Sequence, residues 1–138
     1  MEIADVRKRI LITIERAKQR AAERRARADE AARAYSTFLE GTAVPLFRQA
    51  ANVLRVEGYQ FSASTPAGTV RLMSDRTAED FIEIMLDTSG ETPHVVGHTS
   101  RARGRRVVES ERAIGDPARL DESDVLDFLA KELEAFLR

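Results

Sequence analysis

Cysteine is absent from the 138-residue chain, which excludes disulfides, thiolate metal sites and cysteine nucleophiles together. No apolar run approaches the roughly 18 residues of a membrane span, so no membrane partner is expected. The arginine-rich start has the charge of an organellar presequence, but Glu2, Asp5 and Glu15 interrupt it and no apolar signal core follows. The expected compartment is the cytoplasm. Tryptophan is missing, and the eight Tyr and Phe residues sit mostly at positions that read as core, which leaves no exposed platform for stacking nucleic-acid bases. The sequence also lacks a phosphate loop, a GxGxxG fingerprint and a GxSxG elbow. No cofactor and no metal are expected.

Proline and glycine do not occur before Gly41. The first forty residues are largely Ala, Arg, Glu and Leu, strong helix formers that together predict one long helix. Ile3, Val6, Ile10, Ile14, Ala17, Ala21, Ala28, Ala32, Tyr35 and Leu39 share a stripe about 80° wide at 100° per residue. Ten turns over 36 residues is a period of 3.6, the period of a straight helix rather than a left-handed supercoil. The stripe is large at its ends and alanine in its middle. Such a rod spans roughly 57 Å at about 1.5 Å per residue, whereas the remaining residues make a body near 26 Å across. Part of the rod must project, so residues 1–41 are read as a self-association arm and residues 42–138 as a compact α+β domain. The expected contact residues are Ile3, Val6, Ile10, Ile14, Ala17, Ala21, Ala28 and Tyr35, and the expected assembly is a homodimer.

The charged face of the rod has a plain explanation. Asp5/Arg9, Glu23/Arg27 and Asp29/Arg33 are acid-then-base pairs at i,i+4, each worth a few tenths of a kcal/mol. Arg16, Arg20, Arg24 and Arg25 are left over. The net charge of −1 conceals an asymmetry: residues 1–34 carry ten basic and six acidic side chains, and residues 107–138 carry four and nine. Such polarity lets the two ends of one chain, or of two chains, attract each other.

After Gly41, Thr42 can cap a second helix with Pro45 in its first turn. Its apolar face is Val44, Phe47, Ala51 and Leu54, and Gly58 ends it. A single kinked rod is the alternative. GYQFSAS, TVRLMS, DFIEIMLDT, PHVVGHTSR and RRVVESER then read as five strands separated by turn-rich segments, an antiparallel meander. In the third strand, Ile82, Ile84 and Leu86 form a dry face, while Phe81, Glu83, Met85 and Asp87 form a mixed one. Asp121 or Ser123 caps a closing helix whose apolar side is expected on the dry face. The fold class is therefore α+β: two N-terminal helices, a five-stranded meander and a C-terminal helix packed on one sheet face.

Candidate chemistry is sparse. His94 and His98 have HxxxH spacing, but in a strand they lie about 13 Å apart at roughly 3.3 Å per residue, too far to share a metal. His98 faces Glu109 if the hairpin turns at residues 103 and 104, and Val108 if the turn holds three residues. Glu79, Asp80, Glu83 and Asp87 are separated along the chain in the same way, and Arg71 can pair with Glu83 across its hairpin. Structural roles are preferred to catalytic ones for all of these, and no enzymatic activity is expected. GHTSRARGRR is the remaining feature. Gly104 suits a tight hairpin, and Arg101, Arg103, Arg105 and Arg106 crowd its tip, where clustering of one sign hints at an anion.

The leading functional reading is a non-enzymatic interaction or scaffold module that self-associates through its N-terminal helix and presents its sheet and arginine tip to a protein partner. The alternative is a nucleic-acid-binding protein that places Arg20, Arg24 and the arginine tip on backbone phosphates, with binding that weakens steeply in salt. Two further readings are an enzyme using His98 with Glu109 or Glu83 in a sheet-face cleft, and an assembly chaperone drawing on the acidic C-terminal segment.

Overall fold

The computed structural model describes residues 1–137. Its first helix, α1, runs unbroken from Ile3 to Phe38. The backbone stays helical through a single π turn, Leu39–Ala43, into α2, Val44–Val56. The two helices are thus joined without a break, and Thr42 lies inside the π turn rather than capping α2. The cause is Pro45. It has no N–H to return to Gly41, and its ring crowds that carbonyl, so the turn before it loosens to an i,i+5 pattern in which the Val44 amide donates to Leu39 O. Where α2 ends, Gly58 takes φ 93°. Its amide donates to Arg55 O at 3.0 Å and the Tyr59 amide to Leu54 O at 2.8 Å, a Schellman closure that only a residue comfortable at positive φ allows.

Five strands follow: β1 Phe61–Ser64, β2 Val70–Ser74, β3 Phe81–Asp87, β4 His94–Arg103 and β5 Arg106–Gly115. They form one antiparallel sheet in chain order. The chain closes with α3, Glu122–Leu133, and a short 3₁₀ turn, Glu134–Phe136. Asp121 caps α3, accepting from the Asp124 amide while the Asp124 carboxylate accepts from the Asp121 amide. This reciprocal arrangement satisfies two otherwise orphaned donors.

The core draws on one sheet face only. Phe61, Val70, Leu72, Ile82, Ile84 and Val95 meet Tyr35 and Phe38 of α1, Phe47, Ala51 and Leu54 of α2, and Val125, Phe128 and Leu129 of α3. Phe47, Leu72, Ile82 and Ile84 are fully buried, each worth roughly 1.5–3 kcal/mol. α3 can lie close to the sheet because Gly97 has no side chain, and a Cβ there would collide with the Phe128 ring. Tyr35 pins α1 to the sheet. Its hydroxyl donates to Gly68 O at 2.7 Å, with Ile84 O beside it at 3.2 Å.

Candidate functional site

The rod meets the body over its last third. Tyr35 and Phe38 are buried and Ala28, Ala31 and Ala34 half-buried, whereas Ala32, on the expected stripe, is exposed. At 100° per residue the docked side is rotated by about 60° from the stripe of the first half. Residues 3–20 are exposed throughout. Ile3 is 87% exposed, and Val6, Ile10, Leu11, Ile12 and Ile14 are 41–54% exposed. Ala17 is exposed and Ala21 half-buried. Tyr35, counted among the contact residues from sequence, is taken up by the chain's own core. The i,i+4 pairs are also displaced: none of the three closes to ion-pair distance, and Arg27 turns to Glu91 instead, donating to Glu91 O at 3.3 Å with its guanidinium 3.8 Å from the carboxylate.

The arginine tip is smaller than its sequence implies. Arg103 and Arg106 are the last pair of the β4–β5 ladder, so the two-residue turn is Gly104–Arg105. Gly104 has φ 61°, as the primed hairpin turn with glycine first requires. Arg103, Arg105 and Arg106 are exposed. Arg101 is not with them, because its side chain points to the core face and donates to Ala135 O at 3.1 Å. Arg20 and Arg24 line a shallow recess with Glu23, Arg27 and Glu91, next to the start of β4. The tip is at its other end, about 30 Å away along a ten-residue strand. These two groups of arginines do not form one continuous basic track.

The second sheet face holds an array that the sequence only half discloses. Glu83 is 3% exposed. One of its oxygens accepts from Arg71 Nε at 2.9 Å and Nη2 at 2.7 Å, the other lies 2.9 Å from His98 Nδ1, and His98 Nε2 lies 3.4 Å from Glu109. Arg71 also stacks 4.1 Å over the Phe81 ring, whose edge meets the imidazole. The expected Arg71–Glu83 partnership is present in register. The expected His98–Glu109 opposition is not: with the turn at 104–105, His98 stands opposite Glu111, and Glu109 reaches it diagonally. Both imidazole nitrogens face carboxylates, the buried Glu83 closely and the exposed Glu109 at longer range. What the array does chemically is hold a buried carboxylate between two donors. Alternation placed Glu83 on this face, but its burial depends on Phe81, Arg71 and His98 closing over it, which no local pattern encodes.

No family model, curated protein or solved structure matches the chain.

Among the described residues no group of three His, Asp or Glu side chains is placed to hold a metal ion, and no helix is long and apolar enough to cross a membrane. Burial, reinforced by the nearby Glu83 charge, pushes the Tyr35 phenol up to about 12. The Ser89 hydroxyl, then its amide, hold the Asp87 carboxyl below its usual range, which stabilises the turn into β4. Finally, α2 and α3 leave an apolar groove of about 330 Å³ on the outer side of the helical layer. Val53 and Leu126 flank it at 62% and 56% exposure. Sequence reasoning missed it, although the extra apolar positions beside each helix's core face were the available signal.

Proposed function

We propose that this chain is a non-enzymatic interaction module that works as a homodimer, pairing through its N-terminal helix and offering the rest of its surface to a protein partner. One observation carries the reading: residues 3–20 form a continuous helix exposed along its whole length, yet they carry Ile3, Val6, Ile10, Leu11 and Ile14. An isolated helix of this length is marginal in water even for favourable sequences. Exposed apolar flank on an otherwise charged surface marks association sites. The arm therefore gains both order and burial from a second molecule. The His98 array supports a structural role, since the imidazole and Arg71 together hold the buried Glu83 carboxylate. A cytoplasmic setting is part of the reading.

The test is molar mass by sedimentation equilibrium at micromolar concentration. The expected value is twice the 15.4 kDa of the chain, falling to the monomer in a variant carrying Ile10→Glu and Ile14→Glu. A monomeric wild-type chain would overturn the reading.

A second reading rests on the exposed Arg103, Arg105 and Arg106. Three like charges at a hairpin tip repel one another unless an anion joins them, and nucleic-acid phosphate is the natural one. Fluorescence anisotropy with labelled duplex and single strands at low salt tests it. Binding should weaken steeply as salt rises, and no binding at low salt removes the reading.

A further inference from the structure

Resting on the self-association reading, we propose that the arm of one copy lies in the α2–α3 groove of the other, reciprocally, so that the dimer is an exchange of arms rather than a pairing of arm with arm. The groove is lined by Leu46, Ala50, Val53, Leu126, Ala130 and Leu133, and its wall is almost wholly apolar. Small residues at 50 and 130 leave room for the large side chains that the arm projects at Ile3, Val6, Ile10 and Ile14. The spacing of that stripe, three and four residues apart, is what a helix laid along a groove presents.

Charge chooses the occupant. Residues 2–20 of the arm hold six basic and three acidic side chains. On the exposed surface of α3, Glu122 stands beside the groove-lining positions and Asp127 and Glu134 on its outer flank. Arm against arm brings two basic helices together, whereas arm against α3 brings basic to acidic, and like-charge juxtaposition is what discriminates between such alternatives. The groove cannot be filled by its own chain's arm, because α1 is helical without a break to Phe38 and its first eighteen residues stand clear of the body. Under two-fold symmetry each arm–groove contact occurs twice, which multiplies a modest area into a specific interface.

The experiment uses two full-length variants, Ile10→Glu in the arm and Leu126→Glu in the groove. Both positions are exposed, so neither substitution disturbs the core, and an unchanged thermal unfolding midpoint at low concentration checks this. Each variant alone is expected to sediment as a monomer at concentrations where the wild type is a dimer. Mixed, they are expected to regain dimer mass at concentrations at least tenfold below those at which either variant pairs alone, because the intact arm of the Leu126→Glu chain still fits the intact groove of the Ile10→Glu chain. If Leu126→Glu leaves the dimer intact while Ile10→Glu abolishes it, arm exchange is wrong and self-association through the arm stands. If both variants are monomeric and mixing restores nothing, exchange is again wrong. A monomeric wild type removes both.

Discussion

Tyr35 shows how one residue can tie a helix to a sheet and leave a measurable trace. Its hydroxyl donates to Gly68 O in the β1–β2 turn, with Ile84 O of β3 beside it. An acid whose folded pKa stands near 12 against 10.0 in the open chain is favoured by folding in its neutral form. Its contribution is therefore intact below pH 10 and is lost as pH rises through about 12. Tyr35→Phe is expected to cost about 1 kcal/mol at pH 7 by urea unfolding and to flatten that alkaline decline. A decline of the same size in the variant would assign it to other groups. Gly97 is the opposite case, a residue valued for what it lacks. Gly97→Ala drives a methyl into the Phe128 ring and is expected to lower stability by about 1–3 kcal/mol in thermal unfolding. Glu83 belongs at this scale too. Glu83→Gln keeps the shape but removes the charge that Arg71 and His98 face, at an expected cost of about 1–3 kcal/mol. That range is moderate for a carboxylate this buried, because Arg71 is 30% exposed and water screens part of the pair.

Among the elements, α1 does two jobs along its length. Its last three turns belong to the core, and its first five belong to no part of the chain. The boundary that composition marks, at Gly41, therefore differs from the boundary that packing marks, near Arg27. Shortening the chain to begin at Thr42 deletes Tyr35 and Phe38 and is expected to abolish cooperative unfolding. Beginning at Ala22 removes only exposed or half-exposed residues and is expected to retain a sigmoidal transition by circular dichroism. If the Thr42 form folded with undiminished stability, the assignment of α1's end to the core would fail. The π turn explains the mismatch. It lets the backbone pass Pro45 without a break, so punctuation that reads as a helix end is absorbed as a local loosening. α3, by contrast, begins where its Asp121–Asp124 pair announces, since a cap is a contact between near neighbours.

For the molecule as a whole, charge runs from a basic arm to an acidic C-terminal helix while the total stays near zero. An interface that joins these ends weakens as salt screens it, but the apolar stripe keeps it from vanishing. For the proposed dimer, the dissociation constant is expected to rise several-fold between low and high salt by light scattering. A constant insensitive to salt would mean that the acidic flank of α3 takes no part. Replacing Arg103, Arg105 and Arg106 by Glu is expected to leave dimer mass unchanged, since the tip lies at the far end of β4 from the arm.

Composition and periodicity alone determined the long helix, the order and antiparallel sense of five short strands, the dry face of β3 and the Arg71–Glu83 pairing, and they narrowed the cap of α3 to Asp121 or Ser123. Each depends on residues close in sequence or on alternation along one strand. Only the tertiary structure decided the rest. It showed that the helix passes through Pro45, that the hairpin turns at Gly104–Arg105 and so sets His98 against Glu111, that Arg101 leaves the tip for Ala135, and that α2 and α3 leave a groove between them. Those features come from packing between segments far apart in the chain. There a shift of one residue in register, or a rotation of a helix by a fraction of a turn, changes which side chains meet without altering any local pattern.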